Sequence, residues 1–161
     1  MAVTGKQWDA ITAGRTLAGM PEMLSIAEGS SQSAKRGAPG VITGGYFVQA
    51  ATNAPCESLY GFFEQDGQNL AANGTKKARI LKADSNRRFV GSLDTAALTQ
   101  AMVGSKVALV INSTTWILST ATSVSASAKC AIHGPAEGSQ IGDAYPLVEF
   151  TIDDDAITYT T

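Results

Sequence analysis

Turn signals interrupt this chain so often that no long helix can run through most of it. From Gly40 onward it is punctuated by Gly44-Gly45, Asp66-Gly67, Asn73-Gly74, Gly104 and Asn112-Ser113, and a longer loop spans Gly134 to Ala144. Paired glycines supply the positive φ of a tight hairpin, and Asp-Gly and Asn-Gly pairs mark turns by the same tolerance. The runs between these signals are short and strand-like. "GVITGGYFVQA" reads as a hairpin about Gly44-Gly45, and "ESLYGFFEQ", "KARILKA", "RRFVGSL", "KVALVI" and "TTWILST" read as further strands. Alternation is clearest in two places. In "VSASAKCAI", Val124, Ala126, Ala128, Cys130 and Ile132 share one face; in "YPLVEFTI", Val148, Phe150 and Ile152 oppose Leu147, Glu149 and Thr151. Many short strands joined by Gly-rich turns imply an all-β barrel or sandwich.

One insertion departs from this pattern. In "GSLDTAALTQAMVGSK", Asp94 or Thr95 can cap a short helix through Ala96, Ala97, Leu98, Gln100, Ala101 and Met102, with Gly104 as its left-handed stop. The sequence therefore predicts one short helix inserted in a β protein.

Residues 1–40 differ again. They are rich in Gly, Ser and Ala, with apolar anchors at Trp8, Ile11, Leu17, Met20, Met23, Leu24 and Ile26 that fit no single period. Gly14, Gly19, Pro21 and Gly29 would break a long helix. Two readings stand side by side: an extended N-terminal arm that orders on another surface, or a segment packed on this chain's own core. The expected division is an arm over 1–40, a β-barrel domain over 41–153 and a C-terminal tail over 154–161.

Charge and length bound the partners. The 161 residues suffice for one domain with a real core, and 12 Lys plus Arg against 14 Asp plus Glu leave a net charge of −2. That balance carries neither the basic footprint of nucleic-acid binding nor a polybasic membrane anchor, so neither partner is expected. The start "MAVTGKQWDAITAG" lacks the basic and apolar blocks of a secretion signal, so synthesis and assembly in the cytoplasm are expected. Cys56 and Cys130 form no CxxC pair and read as two buried free thiols, with a disulfide as the alternative that geometry must decide.

Groups that could carry chemistry are sparse. His133 is the only histidine, no GxSxG elbow or GxxxxGK[ST] loop occurs, and "DDD" at 153–155 lacks the alternating ligands and downstream Glu of a calcium loop. His133 reads as an ordinary strand-end histidine and the aspartates as a solvated cluster; no enzyme activity, metal or cofactor is expected. Trp8, Tyr46, Tyr60, Trp116 and Tyr145 could form a sugar platform, although scattered aromatics are more often core or interface residues.

The order "AKRGAPGVITGGYFVQA", "KKARILKADSNRRFVGSLDTAALTQAMVGSKVALV" and "IGDAYPLVEFTI", with Gly142-Asp143 before the last strand, resembles the head-decoration, or cement, proteins of tailed bacteriophages over Ala34 to Ile152. The resemblance implies a small β-barrel or β-tulip whose short helix closes or buttresses one end. It further implies assembly with itself, often as a trimer, on the capsid exterior of the virion, with the major capsid protein as partner and the N-terminal arm contacting the shell. On that reading Trp8, Ile11, Leu17 and Met20 are the capsid-binding anchors. The first 33 residues match no motif of these proteins. A phage tail or neck component, a carbohydrate-binding module and, last, a hydrolase using His133 are the alternatives.

Overall fold

The computed structural model describes residues 12–16, 23–52, 56–112, 115–121 and 127–157. Eleven strands carry nearly all its regular structure: β1 (Thr12–Thr16), β2 (Met23–Ala27), β3 (Pro39–Thr43), β4 (Tyr46–Gln49), β5 (Gly61–Phe63), β6 (Lys77–Lys82), β7 (Arg87–Asp94), β8 (Lys106–Asn112), β9 (Thr115–Ser119), β10 (Cys130–Pro135) and β11 (Leu147–Ile152). The chain is all-β, as its turn spacing predicts.

Five strands close into a barrel. β7, β11, β10, β8 and β9 pair in that order, antiparallel throughout, until a parallel pairing of β7 with β9 (Leu93 with Leu118, Asp94 with Ser119) shuts the ring. β1 adds to the first half of β7, opposite Arg87 to Val90, on the edge that β9 takes up further along. Closure leaves no free edge around the ring, which is how small β proteins avoid edge-to-edge association.

The other five strands form an antiparallel sheet in the order β2-β6-β5-β3-β4. The ends of this sheet come together where Glu28 bridges Phe47 and the Gly29 N–H donates to the Phe47 carbonyl at 3.0 Å. Its β3–β4 hairpin turns on Gly44 and Gly45, at φ +56° and +84°, with Thr43 opposite Tyr46. This is the predicted two-residue hairpin, and both turn positions lie where an L side chain is strained.

One core serves both sheets. Phe62 and Phe63 are adjacent in β5, point to opposite faces and are both fully buried. Phe63 lies 4.6 Å from Phe47 within the second sheet, whereas Phe62 lies 5.1 Å from Phe89 of the barrel, itself 5.9 Å from Phe150. Gly91 permits a further close approach: a Cβ there would come within 2.8 Å of the Trp116 indole and 3.0 Å of Phe150. The indole is thus packed into the barrel, 4% exposed.

Four expectations change. The inserted helix shrinks to a single 3-10 turn at Gln100–Met102, with no side-chain cap at Thr99. The reason is tertiary: Leu98 is buried, its N–H donates to the Asp143 carbonyl and its carbonyl accepts from Gly142, so the β10–β11 loop takes the groups a helix would use. Of "VSASAKCAI", residues 127–129 are not strand and β10 begins at Cys130; 122–126 lie outside the described residues. Continued antiparallel pairing would set residue 128 opposite Leu109, and the Leu109 carbonyl already accepts from Cys56 at 2.8 Å. Over its described part, the segment 1–40 is no free extension, since β1 joins the barrel and β2 joins the second sheet through five paired residues. Likewise the tail drawn from residue 154 stays with the domain through Ile157, which is buried and bridges Leu59.

Candidate functional site

The anchors Trp8, Ile11, Leu17 and Met20 all lie outside the described residues. Their positions along the chain are nonetheless informative. Trp8 and Ile11 precede β1, and Leu17 and Met20 fall between β1 and β2, so the four flank a strand hydrogen-bonded to β7.

Next to β1, the outer face of the barrel is polar. Arg88 on β7 and Glu149 on β11 form an ion pair at 3.1 Å, both half-buried, and exposed His133 on β10 places Nε2 2.8 Å from the Thr151 hydroxyl. Partial burial, reinforced by the Arg88 charge and opposed by Glu149, holds the His133 ring below its ordinary value of 6.5. The unfolded chain therefore binds a proton more readily in the window just below pH 6.5, so stability contributed above that pH is lost as pH falls toward the folded midpoint. An NMR titration should show His133 changing charge below 6.5, and a midpoint above 6.5 would contradict this environment.

One end of the barrel presents a hydrogen-bonded, mostly uncharged rim. The insert 95–104 carries no charged residue, and the β10–β11 loop is tied to it by the two Leu98 bonds and by the Tyr145 N–H donating to the Thr95 carbonyl. Ile141, 44% exposed, is the one large apolar residue left open among the described residues. Gln140 N–H donates to the Asp143 carboxylate at 2.9 Å and holds the loop tip. The sequence gives no sign of this clamp, because the pairing groups are backbone atoms of residues far apart in the chain.

The remaining sequence candidates are dispersed. Asp153 pairs with Lys106 at 2.5 Å and Asp155 with Lys129 at 2.7 Å, while Asp154 accepts from the Ser85 hydroxyl at 3.2 Å, so the three aspartates turn to separate partners. The hydrogen bond from Lys129 holds the Asp155 carboxyl below the usual carboxylate range. Among the described residues no group of three or more His, Cys, Asp or Glu side chains could hold a metal ion. Of the aromatics that could have formed a sugar platform, Trp116 and Tyr60 are core residues, Trp116 against Gly91 and Tyr60 edge-on to Phe47, while Tyr46 and Tyr145 are half-buried and Trp8 lies outside the described residues. Cys56 and Cys130 are free and buried, as their spacing suggested. Compared with family models, with curated proteins and with solved structures, the chain has no match in any of the three.

Proposed function

We propose that this chain is a structural protein that binds the outside of a bacteriophage capsid and cements the shell, assembling with itself as a symmetric oligomer, a trimer by the resemblance. What supports the reading is the agreement between the small β-barrel that the resemblance implies and the closed five-stranded barrel of this chain. A symmetric oligomer straddling a junction between capsid subunits makes several modest contacts together. Once one contact forms, the others act at high effective concentration, so attachment becomes nearly irreversible without any single large interface.

The test is co-sedimentation of the purified chain with mature and immature capsids of the phage that encodes it, counting bound copies. Saturable binding at many copies, favouring the mature shell, is the expected result; few copies would point to a tail or neck position, and none would end the reading. The anchor hypothesis needs a narrower cut than removal of the first 33 residues, which would delete β1, β2 and Glu28 and so damage the fold itself. Replacing Trp8, Ile11, Leu17 and Met20 together by Ser should weaken capsid binding at least about tenfold, the effect of losing one or two buried apolar anchors. Full affinity in that variant would remove these residues from the interface.

A further inference from the structure

β8 is paired along one edge by β9, but its other edge is shared between two segments. Lys106 and Val107 pair with β10; further along, the Leu109 carbonyl accepts from the Cys56 N–H and Ile111 bridges Thr52. Cys130 is the direct partner of Val107. Val107 and Leu109 are two residues apart in one strand, roughly 6.5–7 Å, so Cys56 and Cys130 are successive occupants of the same edge. A second contact crosses this seam, the Ser127 hydroxyl donating to the Glu57 carboxylate. Both thiols are buried in the same core, and the Cys56 sulfur is near enough for its charge to act on Cys130. A disulfide needs Cα atoms about 4.4–6.8 Å apart, which a spacing of one strand repeat approaches.

We propose that Cys56 and Cys130 are a site of oxidative cross-linking, a latent intramolecular disulfide made by exchange with a low-molecular-weight disulfide of the glutathione class. One cysteine loses its proton and attacks the small disulfide, forming a mixed disulfide and expelling one glutathione thiolate. The second cysteine, deprotonated in turn, displaces the other glutathione. Two electrons and two protons thus pass from the cysteine pair to the small disulfide, which leaves as two thiols. The bond joins the β4–β5 linker of one sheet to the first residue of β10 in the other.

Burial governs the timing. It pushes the Cys56 thiol up to about 12 and raises Cys130 as well. The thiolate is the nucleophile, so the closed seam reacts slowly at neutral pH and oxidation proceeds through its opening. A chain kept in reducing surroundings retains both thiols, and one moved into oxidising surroundings acquires the staple. Because the cross-link closes a loop of roughly 75 residues, it should raise Tm by about 5–15 °C.

The full chain, purified reduced, is incubated with oxidised glutathione at pH 8 with and without sub-denaturing urea, then mapped under non-reducing conditions and melted. Expected are a Cys56–Cys130 peptide, faster formation in urea, and a higher Tm that dithiothreitol reverses. Cys130→Ser should instead yield a glutathione adduct on Cys56 and no rise in Tm. The proposal is overturned if the wild-type chain, opened in urea and refolded with oxidised glutathione, keeps free or separately glutathionylated cysteines, or if the cross-link lowers Tm. If Cys130→Ser fails to fold, the wild-type peptide map and its reversible melting decide alone.

Discussion

Phe89→Ala should cost about 3–5 kcal/mol of unfolding free energy, the range for emptying a fully buried aromatic site. Phe89 is fully buried on β7, the strand that pairs with β1, β11 and β9. Its ring stands between Phe150 of the barrel and Phe62 of the second sheet, at 5.9 and 5.1 Å. Truncation removes both contacts and opens a cavity where the two sheets share their core. β5 has only three residues, so the packing of Phe62 carries much of its hold on the barrel side. The loss should therefore be felt in both sheets together. Urea unfolding followed by far-UV circular dichroism and by tryptophan fluorescence should give one coincident transition in parent and variant, shifted to lower urea in the variant. Separated transitions in the parent, or a loss below about 1 kcal/mol, would mean that the sheets do not depend on this ring.

The fate of individual residues shows what could be read from the chain in advance. Val148, Phe150 and Ile152 alternate with Leu147, Glu149 and Thr151, and β11 buries the first three. That strand lies against barrel neighbours on both edges with one face inward, the geometry period-two patterning reports. Gly44-Gly45 encodes its own hairpin because the turn is a local matter of φ. Legibility fails where distant backbone decides. Leu98 looks helical until the β10–β11 loop claims its N–H and carbonyl, and residues 127–129 look like strand until Cys56 occupies the Leu109 carbonyl. Leu24 and Ile26 alternate with exposed Ser25 in β2, but the glycines and Pro21 around them conceal a strand that exists by pairing with β6. Of the candidate site, the sequence offers four apolar anchors. The strand they flank, the Arg88–Glu149 pair and the rim at Ile141 come from pairing partners 40 or more residues away, which no local pattern reports.

Glu28→Ala should cost about 3 kcal/mol, an effect nothing in the run "SIAEGS" suggests for an acidic residue. Glu28 is fully buried, and its two carboxylate oxygens accept from the Gln68 N–H and the Gln68 side-chain amide, each at 2.6 Å. The same amide donates to the Lys77 carbonyl at 3.0 Å. Alanine keeps the backbone bonds of residue 28, which donates to Lys76, accepts from Gly74 and lies beside Phe47 where the second sheet closes. What disappears is the acceptor, leaving two Gln68 donors short of a partner in a site built for a charged one. The sheet should thus stay closed while the loop around Gln68 loosens. Hydrogen exchange should show lost protection at the Gln68 amide with that of Gly29 nearly unchanged at matched global stability. A double-mutant cycle with Gln68→Ala should return a coupling of at least about 1 kcal/mol, since the side-chain amide bond is lost in either single change while the Gln68 N–H bond is lost only with the carboxylate. Additive losses would exclude the side-chain amide bond and place the cost in the Gln68 N–H bond and the cavity. The carboxylate would then act as an acceptor for backbone alone, and the loop around Gln68 would be held to the second sheet by that one bond.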